Sequence, residues 1–283
     1  MRWTPGGESS DIEDRRGSSG GFGLGGGPIG IGGAVILLVL SLLFGRNFFA
    51  LFSSSDNTAG RTAVSQPVQE TPQEHKEVQF VSFVLDDAQS TWSNILSEQA
   101  RVPYRHARLV LFRDSIGSAC GYADAASGPF YCPDDERVYL DLAFFDELRQ
   151  RFAASGDFAQ AYVMTHELGH HVQKILGIEP KVHDLMQNDP SHANEYSVRL
   201  ELQADCYAGI WGHSTAQRNL LEQGDIEEGL AAAAAVGDDR LQKMSGRRVN
   251  PESFTHGSSK ERSTWFRRGL QSGRIADCDT FAR

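Results

Sequence analysis

The chain has 283 residues, 40 % of them hydrophobic and 23 % charged, and a formal net charge of -10. That length allows one sizeable domain with appendages or two small ones, and the acidic balance without a basic block argues against a nucleic-acid partner. The four cysteines, Cys120, Cys132, Cys206 and Cys278, include no C-x-x-C pair. This speaks against a zinc ribbon or a thioredoxin-type redox site, and leaves either two disulfides or four buried thiols.

Residues 1–28 are polar and glycine-rich, a composition that cannot repay its own ordering entropy, so they are predicted to be disordered. Ile29 to Phe44 carries no charge. It is short of the ~20 residues a spanning helix needs, but Arg46 can snorkel, and Phe48, Phe49, Leu51 and Phe52 extend the apolar character. Residues 29–52 are therefore predicted to form a single-pass transmembrane anchor. Arg15 and Arg16 before the span balance Arg46 and Arg61 after it, so the positive-inside rule does not orient it. Most of the chain and all the cysteines follow the span, which favours the N-terminus inside and the main domain outside the cytoplasm, in the periplasm or its equivalent. Residues 53–77, rich in Ser, Gln, Pro and Glu, read as a linker, and the folded domain is expected over 78–283.

Within that domain, Ala88, Trp92, Ile95 and Leu96 have helical spacing over Asp86 to Ala100. Arg108 to Phe112 and Arg137 to Leu140 read as strands, with Phe130-Tyr131 as a third. From Leu142 the pattern is mainly helical, giving an α+β class with a small antiparallel or mixed sheet. Asp225 with Glu228 reads as an N-terminal cap pair for the helix through Ala231 to Ala235.

The chemistry concentrates in Asp157 to Gly177, which contains H-E-L-G-H. Asp157 can cap this helix and Gly177 can end it. At about 100° per residue, His166 and His170 lie about 40° apart on one face, roughly opposite Met164, Leu168, Val172 and Ile175. Glu167, about 60° round from His170, can reach a water on a metal without ligating the metal. Gly169 leaves room for close approach beside the pair. Zinc hydrolases need a third protein ligand. In the helix predicted over Asn194 to Trp211, Glu201 and Asp205 share a face with the small residues Ala204 and Ala208. Glu201 can ligate while Asp205 accepts the free N–H of a ligand histidine. Glu195 is a weaker alternative, having no acidic residue four positions later. His171 faces away from the pair and reads as a surface or capping residue; His183, His192 and His213 read as loop or surface, and His75 lies in the linker.

H-E-L-G-H followed by E-L-Q-A-D resembles the gluzincin pattern HExxH…ExxxD. More narrowly, the MRW…EDRRG opening, VYLDLAFFDEL, HELGHHVQ, LELQADCYAG and FTHGSSKERSTWFRRG resemble the bacterial neutral zinc metallopeptidase family of YpfJ type. The resemblance implies a zincin-like fold, one zinc held by His166, His170 and Glu201, Glu167 as general base, Asp205 behind a ligand and a peptide or protein substrate. It also suggests His256, in T-H-G before a helix capped by Ser258 or Ser259, as an oxyanion donor. Arg262 is a second candidate for that role, or an anchor for a substrate carboxylate. Peptides bind such sites in extended form along a sheet edge, for which Arg137 to Leu140 is the candidate. Disulfides 120–132 and 206–278 are the favoured pairing among three. The competing functional class is a non-enzymatic, membrane-tethered binding module that keeps the fold; intact Glu167 argues against it.

Overall fold

The computed structural model describes residues 1–17, 68, 70–124, 128–152 and 156–282. The anticipated anchor 29–52, with residues 18–28 and 53–67 on either side, lies outside the described residues. Among those described, no helix is long and apolar enough to cross a membrane.

The N-terminus departs from expectation. Residues 1–17, expected to be disordered, belong to the fold. Ile12–Asp14 is strand β1 and pairs in parallel with β2, Arg108–Phe112. Trp3 packs edge-on against Phe80, and the Met1 ammonium lies 2.5 Å from Asp157 Oδ1 and 3.2 Å from Asp225 Oδ1. Buried Arg16 bonds Asp14 and reaches Glu70 at 3.1 Å. Composition misled here: a strand of three residues needs no apolar run when its ladder and charge pairs are supplied by distant parts of the chain.

The linker also ends sooner than 77. Helix α1, Pro72–Ile95, opens on a capping box in which Thr71 and Glu74 satisfy each other's backbone N–H groups, with Pro72 in the first turn. Its stripe Val78, Val81, Val84, Leu85, Ala88 and Trp92 is fully buried. The last turn, Leu96–Ala100, widens to π-helical spacing.

Strand β2 is followed by the hairpin β3, Ser115–Ser118, with β4, Gly121–Asp124, which forms its own two-stranded sheet. Then come β5, Phe130–Cys132, and β6, Arg137–Asp141. The main sheet has the order β1-β2-β6-β5, parallel except for the β5–β6 pair. Arg137 to Leu140 is thus an interior strand, and the open edge on that side is β5. Both faces are covered: Leu109, Leu111, Val138 and Leu140 enter the main core, while Val110, Phe112 and Tyr139 pack with Ile116 and Phe130 on the other side.

The remainder is helical: α2 Ala143–Phe152, α3 Asp157–Ile175, α4 Ile178–Asn188, α5 Ala193–Gln217, α6 Asp225–Ala235, α7 Asp238–Met244 and α8 Ser259–Ser272. Glycines, not acids, occupy the N-caps of α3 and α6: Gly156 and Gly224. Asp157 and Asp225 instead open the helices and bind the Met1 ammonium, where carboxylates also complement the helix dipole. Gly156, at φ 138°, has the Glu228 carboxylate where a Cβ would sit. The architecture is a helix-rich α+β arrangement around a small mixed sheet. Cys120–Cys132 and Cys206–Cys278 are disulfide-bonded, and no free cysteine remains. The first fixes the end of β5; the second ties α5 to the C-terminal segment.

Candidate metal centre

Helix α3 is more central than an amphipathic reading suggests. Nearly every residue from Phe158 to Gly169 is buried, because α1, α5 and α6 surround it and β5 crosses near its middle. Its approach to α5 is set at Gly169, where a Cβ would meet the Ala204 carbonyl oxygen at 3.0 Å and Ala204 Cα at 3.2 Å. Two small residues facing each other bring the helices close enough for one carboxylate to reach both imidazoles.

That carboxylate is Glu201. Its Oε2 lies 3.1 Å from His166 Nε2 and its Oε1 3.5 Å from His170 Nε2. Ligand atoms at zinc's usual distances of about 2.0–2.1 Å in a tetrahedron stand roughly 3.3 Å apart, so the spacing suits that ion. The other imidazole nitrogens are engaged as metal ligation requires. His166 Nδ1 is 2.9 Å from Asp205 Oδ1, and His170 Nδ1 is 2.9 Å from Gln173 Oε1. Each acceptor fixes an Nδ1–H tautomer and leaves Nε2 free to coordinate. Glu195 is excluded from this cluster: it is exposed and paired with Arg199.

With no cation present, the two histidines titrate in opposite directions. Burial works against charge on His166, but Asp205 and Glu201 outweigh it and push its pKa up to about 10. Burial dominates at His170 and pulls it down to about 4. The difference follows from the neighbours: a full carboxylate sits behind His166, a neutral amide behind His170.

Glu167 lies one position from His166 and outside the three-residue cluster. It is buried, and burial pushes its pKa up to about 7; the His166 charge opposes that rise and the Glu201 charge adds to it. The Tyr131 backbone, on β5, acts against that rise as well, and β5 packs against α3. The open sheet edge and the candidate base are therefore neighbours.

His256 lies beside the centre. It is only partly buried, at 31 % side-chain exposure, and Glu201 helps raise its pKa against the effect of burial. Asp238 shapes its loop by accepting the backbone N–H groups of Thr255, His256 and Gly257 at 2.8, 2.7 and 3.0 Å. Arg262 does not face a substrate. It is 3 % exposed, and its donors point to Asp205 and the Val236 carbonyl. His171 is neither surface nor cap. It is fully buried, bonding Tyr131 Oη at 3.0 Å and the Arg105 carbonyl at 2.7 Å, and it fixes β5 against α3.

Sequence reasoning missed three residues here: Gln173, Tyr162 and Tyr131. Tyr162 precedes His166 by one helical turn, and Gln173 follows His170 by three positions, so the helical face carried the signal. Tyr131 is brought in by tertiary packing and left no such trace. In a second carboxylate group among the described residues, Asp157, Asp225 and Glu228, the two aspartates hold the Met1 ammonium.

Two histidines one turn apart, a glutamate from a second helix and an adjacent buried glutamate define the class of HExxH metal sites. The comparisons agree. The family described as "Putative neutral zinc metallopeptidase" matches residues 1–281, and the chain belongs to that family; zinc is the metal this membership implies. "Uncharacterized protein YpfJ" of Escherichia coli is 45 % identical over 290 residues, covering 100 % of this chain and 99 % of the relative. An uncharacterized protein of Mycobacterium tuberculosis is 44 % identical over 190 residues, covering 63 % of this chain and 64 % of its own length. No solved structure matches.

Proposed function

We propose that the protein is a zincin-like peptidase that binds one zinc through His166, His170 and Glu201 and hydrolyses peptide bonds with Glu167 as general base. The observation that carries this reading is the convergence of two Nε2 atoms on one carboxylate, at 3.1 and 3.5 Å, beside a buried glutamate. Zinc, when bound, supplies Lewis-acid polarisation of water and of the scissile carbonyl. Glu167 takes the proton of the attacking water and passes it to the leaving amine nitrogen. Its pKa near 7 in the metal-free chain suits a group that must both accept and release a proton. His256, partly exposed and steadied by Asp238, is the donor to the developing oxyanion. An extended peptide or protein substrate lies along β5, whose outer edge has no strand partner among the described residues.

The test is metal analysis of the purified chain together with a broad peptide-library digest. One zinc per chain and cleavage by the wild type are expected, with Glu167→Ala keeping the zinc and losing cleavage. A Glu167→Ala protein that cleaves like the wild type would remove the base assignment.

The two disulfides support an extracytoplasmic location, and the apolar stretch 29–52 supports membrane attachment. Strand β1 and the Arg16–Glu70 pair hold residues 1–17 in the same folded body as the metal helices. Both ends of the intervening segment therefore leave from one side. Attachment in which the chain returns to that side accounts for this; the single crossing with the N-terminus inside does not. Accessibility tags at residue 5 and at the C-terminus should be protected or digested together in sealed vesicles, and opposite behaviour would restore the single crossing.

A further inference from the structure

Asp205 is fully buried and accepts four donors. His166 Nδ1 and the Tyr162 hydroxyl meet its Oδ1, and Arg262 spans the carboxylate, with Nη2 at 2.9 Å from Oδ1 and Nε at 2.8 Å from Oδ2. Arg262 is itself buried, and its Nη1 donates to the Val236 carbonyl at 3.2 Å. The same guanidinium lies 3.9 Å from Glu201 Oε2 and 3.3 Å from His166 Nδ1. One cation thus touches the residue behind a ligand and stands next to two ligands.

The helix that delivers it is placed by backbone contact. A Cβ on Gly269 of α8 would lie 1.9 Å from the Cys206 carbonyl oxygen, and one on Gly209 of α5 would lie 2.1 Å from the Phe266 carbonyl oxygen. Ser258 and Glu261 cap the start of α8, one turn before Arg262. The position of α8 against the ligand helix is therefore closely fixed, and with it the guanidinium.

We infer that Arg262 is a positioning residue for the metal: its fork holds the Asp205 carboxylate in the plane that orients the His166 imidazole, so that Nε2 faces Glu201. The inference rests on the zinc-site reading above. A fork matches a carboxylate in a way a point charge cannot. Both Asp205 oxygens are held, and the carboxylate cannot rotate away from Nδ1. Tyr162 adds a third donor on Oδ1, beside His166 Nδ1 and Arg262 Nη2; the ionised carboxylate only accepts, so it selects the Nδ1–H tautomer.

Charge alone predicts the reverse effect on the metal. A cation 3.9 Å from a ligand carboxylate repels zinc, and its removal should tighten binding. Orientation predicts weakening, and loss of such an outer partner typically costs 10–100-fold in metal affinity. The two are separated by measuring zinc affinity by chelator competition in the full chain, with the cobalt(II) absorption spectrum as a second readout. Arg262→Met should raise the zinc Kd about 10–100-fold and alter the cobalt spectrum. Arg262→Lys, which keeps the charge and loses the fork, should also weaken zinc by about tenfold or more.

Burying Asp205 without its partner could compromise folding, so Asp205→Asn is made alone and with Arg262→Met. If Arg262 acts through Asp205, the double variant should bind zinc no worse than Asp205→Asn alone. Zinc binding by Arg262→Met within twofold of the wild type, or tighter, would overturn the inference, as would penalties that multiply in the double variant. A wild type that binds no zinc would instead overturn the site reading itself.

Discussion

Replacing Gly269 with alanine adds one methyl group where the structure has no space for it. The new Cβ would lie 1.9 Å from the Cys206 carbonyl oxygen, 2.8 Å from the Cys206 carbonyl carbon and 2.9 Å from Ile210 N. All three are backbone atoms of α5, so no side chain can rotate to make room. Restoring ordinary contact requires α5 and α8 to separate by on the order of 1.5 Å, a larger shift than the added methylenes that typically cost 1–3 kcal/mol in well-packed cores. Alanine's better helix propensity returns about 1 kcal/mol. The net loss should be about 3 kcal/mol, a fall in Tm on the order of 10 °C for a domain of this size. Gly212→Ala is the matched control: its Cβ would meet the tip of the Leu270 side chain at 3.1 Å, which can turn aside, so its cost should stay within about 1 kcal/mol. Urea unfolding with the disulfides intact measures both. A Gly269→Ala protein within about 1 kcal/mol of the wild type, or one less affected than Gly212→Ala, would refute the argument that backbone contact sets the spacing of these helices.

Glu201→Ala should abolish stoichiometric zinc binding, read by metal analysis after dialysis; normal affinity would remove Glu201 from the ligand set. His256→Ala should lower kcat about 10²–10³-fold, the scale of one oxyanion donor, with zinc content unchanged; near-normal kcat would return His256 to a structural role. Asp238→Asn should cost about 1.5–3 kcal/mol, because the buried carboxylate accepts three backbone N–H groups. The folded pKa of Asp238 lies below 3.8, as its hydrogen bonds and the His256 charge outweigh burial, so its contribution is complete above about pH 4 and is lost as pH falls through the lower folded value. His256 is raised above 6.5, so its half of the pair is complete below that value and is lost as pH rises through the folded one. In metal-free protein the stability difference between wild type and Asp238→Asn should therefore be largest between about pH 4 and 6.5. A difference independent of pH from 3 to 9 would show that the ion pair contributes nothing.

What the sequence disclosed and what it withheld divide along the distance over which each signal acts. His166, Glu167 and His170 share one helix, and Glu201 and Asp205 share another, so helical geometry alone ordered them into two matching faces. The small residues Gly169 and Ala204 even indicated that those faces meet. Strand Arg108–Phe112, and Phe130-Tyr131 of the strand Phe130–Cys132, were legible because apolar or aromatic runs between turns have few other uses. Which strand forms the open edge was not legible, because sheet order is set by pairings that no single strand's pattern announces. With β2 on one side and β5 on the other, Arg137–Asp141 becomes interior, and the edge next to Glu167 passes to β5. Arg262 shows the same limit from the opposite side. Its presence in a helix after T-H-G was plain, and an arginine near a peptidase site invites the reading that it faces substrate. Only the close contact of Gly209 and Gly269 with the facing backbone turns it inward, onto Asp205. A residue's chemistry could thus be read locally, while the direction in which it is used was set by contacts between segments more than fifty residues apart.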